Sequence, residues 1–341
     1  MRKIDFEAHF ATEEWIQALV QNEGYPRIGM DKKTNRRRFY FSADAIEPFS
    51  DVLQDKLLDL EETRITEMDS AEIDVQVLTL VAPGVEHFDP STGTALAKHC
   101  NDFLAGVIDK NPYRFVGFAS LCPKDPEEAV KELERAVKEL GLKGWKTHSN
   151  YGDIYPDDKR FWPIFAKAEA LDVPIYLHPT APMISQLHAY GFALAGAPFG
   201  FGIETSMVMM RLVFSGVLEA FPNLKIILGH LGEGLPFILQ RIDFPYVRPH
   251  FKNDPEVVPQ IKKKPSDYLL QNMFVSTSGN YLEPAFMCTK EAMGIDRILL
   301  ATDYPFEDPT ECMQFLEGLP LAREDKDKVY YQNAKQVGIE V

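Results

Sequence analysis

Eight short apolar runs of strand character recur along the chain, and amphipathic stretches fill the intervals between most of them. The runs cover residues 4–9, 73–80, 115–119, 142–148, 173–179, 224–230, 273–277 and 297–303. Helical periodicity marks 51–69, 94–110, 126–140, 161–171 and 206–220, with Asp125 as an N-cap and Gly141 as a stop for the third. An unbroken alternation of this kind calls for parallel strands joined by helical crossovers. Eight strands close most simply as a (β/α)8 barrel of TIM type. At 341 residues the length suits one such barrel, and no shift in composition marks a boundary, so 1–341 reads as a single domain. Two segments stand outside the alternation. Residues 11–47 read as an ordered insertion over the barrel mouth, because Trp15, Phe39, Tyr40 and Phe41 are too apolar to stay in water. Residues 304–341 read as a C-terminal helical segment.

Charge narrows the partners. With 36 basic against 51 acidic side chains the net charge is −15, which repels both phosphate backbones and anionic membranes. Neither nucleic acid nor membrane is expected. The run Asn35-Arg36-Arg37-Arg38 is a local exception, read as solvated or interface-facing. Cys100, Cys122, Cys288 and Cys312 show neither pairing nor CxxC spacing, the pattern of free thiols in a reducing compartment. Met1-Arg2-Lys3-Ile4-Asp5, with an acid straight after its basic residues, is not expected to be a signal peptide, and no stretch is expected to approach a membrane-spanning length. A cytoplasmic protein acting on a small molecule is the expectation.

In such a barrel the C-terminal ends of all strands meet at one face, so polar residues that end different strands converge. Glu7 and His9 end the first strand on one shared face, His178 the fifth, His230 the sixth and Asp303 the eighth. Singly, each has an ordinary explanation as a turn residue or a solvated neighbour. Gathered on one rim they would be costly without a cation or substrate to organise them. Carboxylates and imidazoles without thiolate suit Zn2+, Mn2+ or Fe2+ and an open, catalytic site rather than a closed structural one. Glu233, three residues past His230, is placed to orient that imidazole, although it could instead serve the following helix as an N-terminal acid. His87, His99, His188 and His250 lack such partners in the sequence.

Several motifs resemble the amidohydrolase-superfamily decarboxylases of ortho-hydroxylated benzoates. They are Glu7-x-His9, Leu177-His178-Pro179, the run from Gly229 to Pro236 with Gln240-Arg241-Ile242-Asp243 after it, and Thr302-Asp303-Tyr304-Pro305-Phe306-Glu307. The likeness runs end to end and is greatest to the γ-resorcylate and 2,3-dihydroxybenzoate enzymes, with 5-carboxyvanillate decarboxylase near. It implies one divalent ion, Mn2+ favoured over Zn2+, on Glu7, His9, His178 and Asp303. It further implies catalysis by His230 with Glu233, an aromatic pocket wall at Phe306, and an Arg241 that reaches a neighbouring subunit's site in a homodimer or homotetramer. Three departures tell against carboxyvanillate as substrate: Val208 replaces a common His, Phe306 a Tyr, and Phe49 a substrate-binding Arg. Lys146 stands where two-metal relatives carry a bridging Lys, but Glu at position 7 resembles the one-metal branch.

The implied reaction is non-oxidative decarboxylation in aromatic catabolism. The ring carbon bearing the carboxylate is protonated, and CO2 then leaves as aromaticity returns. Asp303 is assigned the proton delivery, with His230 and Glu233 orienting the substrate; the reverse, with His230 as donor, stays open. The alternative is metal-dependent hydrolysis of a lactone, ester or amide on the same barrel.

Overall fold

A computed structural model describes residues 2–251 and 254–340. The eight expected strands are all present: β1 Ile4–Phe10, β2 Val75–Leu80, β3 Phe115–Ala119, β4 Gly144–His148, β5 Ile175–His178, β6 Ile226–Leu228, β7 Met273–Ser276 and β8 Ile298–Leu299. They lie in sequence order in one sheet and pair in parallel. The last strand returns to the first: Phe6 N–H donates to Leu300 O at 2.8 Å and His9 N–H to Tyr304 O at 2.7 Å. The barrel is of the (β/α)8 kind.

Its interior is packed rather than hollow. Ile4, Phe6, Val75, Val77, Val116, Phe118, Tyr176, Ile227, Phe274 and Leu299 form one buried cluster, and Ala334, Val337 and Ile339 join it from the C-terminal segment. Gly144 keeps room for this filling, since a Cβ there would lie 2.7 Å from the Phe118 ring. A second, larger cluster lies between the sheet and its helices.

The first strand carries the feature that sets the site. Simple alternation from Ile4 and Phe6, both inside the barrel, would turn Glu7 and His9 outward. The β1–β2 register shifts between Asp5 and Ala8, and this bulge moves Ala8 and Phe10 into the outer cluster while Glu7 and His9 face in. Asp5 holds the irregularity. Its carboxylate accepts from Glu7 N–H at 3.1 Å, Thr302 N–H at 2.9 Å, Thr302 Oγ1 at 2.7 Å and Gln76 Nε2 at 3.1 Å.

Three expectations need correction. The helix expected over 51–69 is two, Asp51–Leu58 and Glu62–Ser70, because the Asp59 carboxylate accepts from Glu61 N–H at 2.8 Å and Thr63 N–H at 2.9 Å and so starts the chain afresh. The sixth and eighth strands stop short, leaving His230 and Asp303 in the left-handed region at φ 53° and 63°. Finally, residues 192–214 are long and apolar enough to cross a membrane by length and composition, at mean hydropathy 1.2. The fold divides them into Phe192–Ala195 and Gly200–Phe214. Glu204 within them is buried, accepting from Ser149 Oγ at 2.9 Å and Asn150 Nδ2 at 2.7 Å.

The 11–47 segment is ordered. A helix, Glu13–Gln21, precedes a three-stranded antiparallel sheet of Arg27–Asp31, Arg36–Tyr40 and Ile46–Pro48. Trp15, Phe39, Phe41 and Phe49 are buried together, and Trp15 Nε1 donates to Gly84 O, beyond β2, at 2.8 Å. Phe41, Ala45 and Glu47 share a small cavity with Ala181, Phe192 and Phe201 from the chain beyond β5. The insertion therefore lies against loops at the C-terminal face of the barrel.

Candidate active site

Glu7, His9, His178 and Asp303 come together as expected, each offering one ligand atom, all within 4.8 Å of one another. Nε2 of His9 is 2.9 Å from Asp303 Oδ1, and Nε2 of His178 is 3.3 Å from Glu7 Oε1. Lateral pairs in a parallel sheet point to one face, and His178 pairs with His148 just as Tyr176 pairs with Lys146. Position along β5 thus sets Tyr176 beneath His178 inside the barrel.

The surroundings fix each group. His178 Nδ1–H donates to Pro179 O at 2.7 Å, which leaves Nε2 as the free lone pair. Thr79 Oγ1 and Lys146 Nζ flank His9 Nδ1 at 3.2 and 3.3 Å, while Lys146 also donates to Leu80 O at 2.7 Å. Tyr176 OH donates to Glu7 Oε2 at 2.5 Å, and Ser276 Oγ follows at 3.3 Å. Glu7 Oε1 is buried without a hydrogen-bond partner. An acceptor oxygen enclosed in that way, facing imidazole lone pairs, fits a cation.

Protonation follows the same logic. Burial would raise Glu7, but the imidazoles of His178 and His230 that face it outweigh this and hold its carboxyl well below the ordinary carboxylate range. Burial, with the Lys146 charge behind it, lowers His178 to about 3 and His9 well below its ordinary value, so both imidazoles are neutral. Asp303 is pushed up to about 7, chiefly by burial.

His230 and Glu233 lie beside the cluster. His230 Nδ1 is 2.7 Å from Glu233 Oε1, and its Nε2 is 3.9 Å from Asp303 Oδ2. Burial disfavours charge on His230, yet Glu233 and Asp303 overcome it and hold the imidazole well above its ordinary value. His230, Leu231 and Glu233 all have positive φ, at 53°, 58° and 53°. Non-glycine residues in that region are strained, and such strain gathers at functional sites. Glu233 is therefore no helix-start acid: the helix begins at Leu235. Gly279, at φ 61°, lets the chain pass His230, whose Cδ2 would stand 3.0 Å from a Cβ there.

Phe306 is 46% exposed, and its ring centroid lies 5.6 Å from that of His9, at the rim of the site. Arg241 is not brought to the cluster within one chain. It is exposed on the helix Leu235–Ile242, with its guanidinium over the Phe244 ring at 4.6 Å.

A model of the amidohydrolase family matches residues 4–337. The chain belongs to that family. Among amidohydrolases, the γ-resorcylate decarboxylase of Polaromonas sp. (strain JS666) is 36% identical over 347 residues, 98% of each chain. The structure of 5-carboxyvanillate decarboxylase from Sphingomonas paucimobilis matches with a TM-score of 0.87 at 32% identity, over 98% of each chain. A dihydroxybenzoic acid decarboxylase from Polaromonas sp. JS666, solved with manganese and the inhibitor 2-nitroresorcinol, matches with a TM-score of 0.83 at 35% identity, over 98% of this chain and 96% of that one.

Some residues of this amidohydrolase site escaped the sequence reading. Asp5, beside Glu7, has no mark in the strand pattern, although the bulge depends on it. Arg64, fully buried, donates to His9 O at 2.6 Å and stacks over Tyr304 at 4.5 Å, fixing the first strand's end from outside. His148 ends β4 as His178 ends β5, so the strand-end pattern carries a signal for it.

Proposed function

We propose that the chain is a manganese-dependent, non-oxidative decarboxylase of ortho-hydroxylated benzoates of the resorcylate or dihydroxybenzoate type. One observation carries the reading: four oxygen and nitrogen ligands drawn from three distant strand ends, with a paired imidazole and carboxylate at their side. The relatives' names and the manganese and nitro-diol of the Polaromonas structure support it.

Glu7, His9, His178 and Asp303 would hold the ion. When bound, a divalent ion acts as a Lewis acid that favours the ionised ortho hydroxyl, and so electron density at the adjacent ring carbon. Asp303, whose Oδ2 lies 3.9 Å from His230 Nε2, delivers its proton to the carbon bearing the carboxylate. The bond to that carboxylate then breaks, its electrons restore the ring, and CO2 departs. His230, held by Glu233 in one orientation, positions the substrate beside Asp303 and returns the proton. Phe306 forms the apolar wall. Two copies at least are needed for Arg241 to reach a substrate carboxylate in the neighbouring site, and Phe237 and Ile238, 82% and 39% exposed on the same helix, provide an apolar face for that contact. Residues 1–341 act as one barrel domain in a cytoplasmic setting where the four cysteines stay free.

The test is the product. Manganese-loaded protein in D2O should release CO2 from 2,6- or 2,3-dihydroxybenzoate and leave one deuteron at the vacated ring carbon. Opening of a lactone without CO2 release would assign the site to hydrolysis instead.

A further inference from the structure

Glu86 and His148 form a second buried pair beside the metal cluster that the reaction above does not use. His148 is 2% exposed, as is Glu86. Their contact, Nδ1 to Oε1, is 2.8 Å, and the other carboxylate oxygen of Glu86 accepts from Val85 N–H at 2.8 Å. The pair is built into the fold. Gly84, at φ 64°, leaves the space, since a Cβ there would lie 2.2 Å from Glu86 Oε2 and 2.6 Å from His148 Cε1. Trp15 from the insertion fastens that turn through Gly84 O.

The pair leaves one atom over. His148 Nε2 is buried and has no hydrogen-bond partner, a condition that costs free energy until something supplies one. The register directs this nitrogen. His148 pairs laterally with His178, so both rings project to the inner face, and the ring centroids lie 5.6 Å apart edge to face. His148 nonetheless lies outside the four-ligand group. It flanks the ion site without belonging to it.

A ring hydroxyl is the group that answers this nitrogen in either state of the pair. If Glu86 accepts from His148 Nδ1–H, then Nε2 is an acceptor; if Glu86 donates to Nδ1, then Nε2–H is a donor. A hydroxyl can donate or accept, whereas a carboxylate only accepts. Resting on the decarboxylase reading, we propose that His148, oriented by Glu86, binds a second hydroxyl on the substrate ring, one not used for the metal. It is a specificity residue, and it selects dihydroxylated over monohydroxylated benzoates.

Calorimetric titration of the manganese-loaded protein with two unreactive ligands tests this: 2-nitroresorcinol, with two ring hydroxyls, and 2-nitrophenol, with one. The wild type should prefer the diol by about tenfold or more, the range of one hydrogen bond to a buried partner. In His148→Leu the ratio should fall to about one. His148→Gln, which retains a hydrogen-bonding terminus, should keep part of the preference, and metal content by elemental analysis shows that each variant is folded around its site. A wild type that binds both ligands equally overturns the assignment, as does a full preference in manganese-replete His148→Leu. A wild type that holds manganese yet binds neither ligand overturns the decarboxylase reading as well.

Discussion

His9 Nε2 lies 2.9 Å from Asp303 Oδ1, although 294 positions separate the two residues. The contact exists because β1 and the chain beyond β8 are joined at one seam, and the proposed ion site straddles it.

The first prediction concerns the ion. With Mn2+ at a hundred times its dissociation constant, the folded state should gain about 2.7 kcal/mol, read as a rise of several degrees in the melting temperature. Chelation should reverse it. Glu7→Gln removes an ionised ligand from a buried position and should lose most of the bound manganese, measured by elemental analysis. An unchanged melting point with and without metal would contradict the site.

Proton delivery gives the second. Asp303→Asn should lower kcat by about a thousandfold or more, and metal content shows whether the loss lies in chemistry or in ion binding. Glu233→Gln, which loosens the orientation of His230, should cost about ten- to a hundredfold. Equal kcat for Glu233→Gln and wild type would remove Glu233 from the mechanism.

Arg241 provides a third. Arg241→Ala should reduce kcat/KM by about ten- to a hundredfold with manganese retained. Mixing Arg241→Ala with Asp303→Asn chains should restore part of the activity, since some sites then receive an intact Asp303 and a neighbour's intact Arg241. No recovery on mixing would count against a shared site.

Stability against pH gives a fourth, in the insertion. Glu47 Oε1 is enclosed without a partner, and burial pushes its carboxyl from the ordinary 4.5 to about 8. Between those values the folded chain holds a proton that the unfolded chain has released, so stability falls as pH rises and the full loss is present above about 8. Glu47→Gln should flatten that slope and be the more stable form at pH 9 by urea denaturation. A slope unchanged in Glu47→Gln would show that Glu47 does not titrate this way.

The barrel and the four-residue cluster were legible because both follow from periodicity: alternation specifies the strands, and strand ends specify the rim. The inward turn of Glu7 and His9 was right for a reason the sequence conceals. It depends on a bulge whose clamp, Asp5, binds Thr302, a partner that only the closed barrel supplies. The break near Asp59 was hidden similarly, since side-chain capping competes with a helical pattern that otherwise continues. His148 is a different case. It obeyed the rule that found His178, and its distinguishing mark, a nitrogen left without a partner, is a property of packing.

The seam between β1 and β8 also has a consequence for synthesis. His9 and Asp303, two of the proposed ligands, leave the ribosome 294 positions apart, so a nascent chain cannot assemble the centre until its eighth strand has emerged. Manganese uptake would therefore report closure of the barrel, because no part of the chain short of Asp303 carries the whole ligand group.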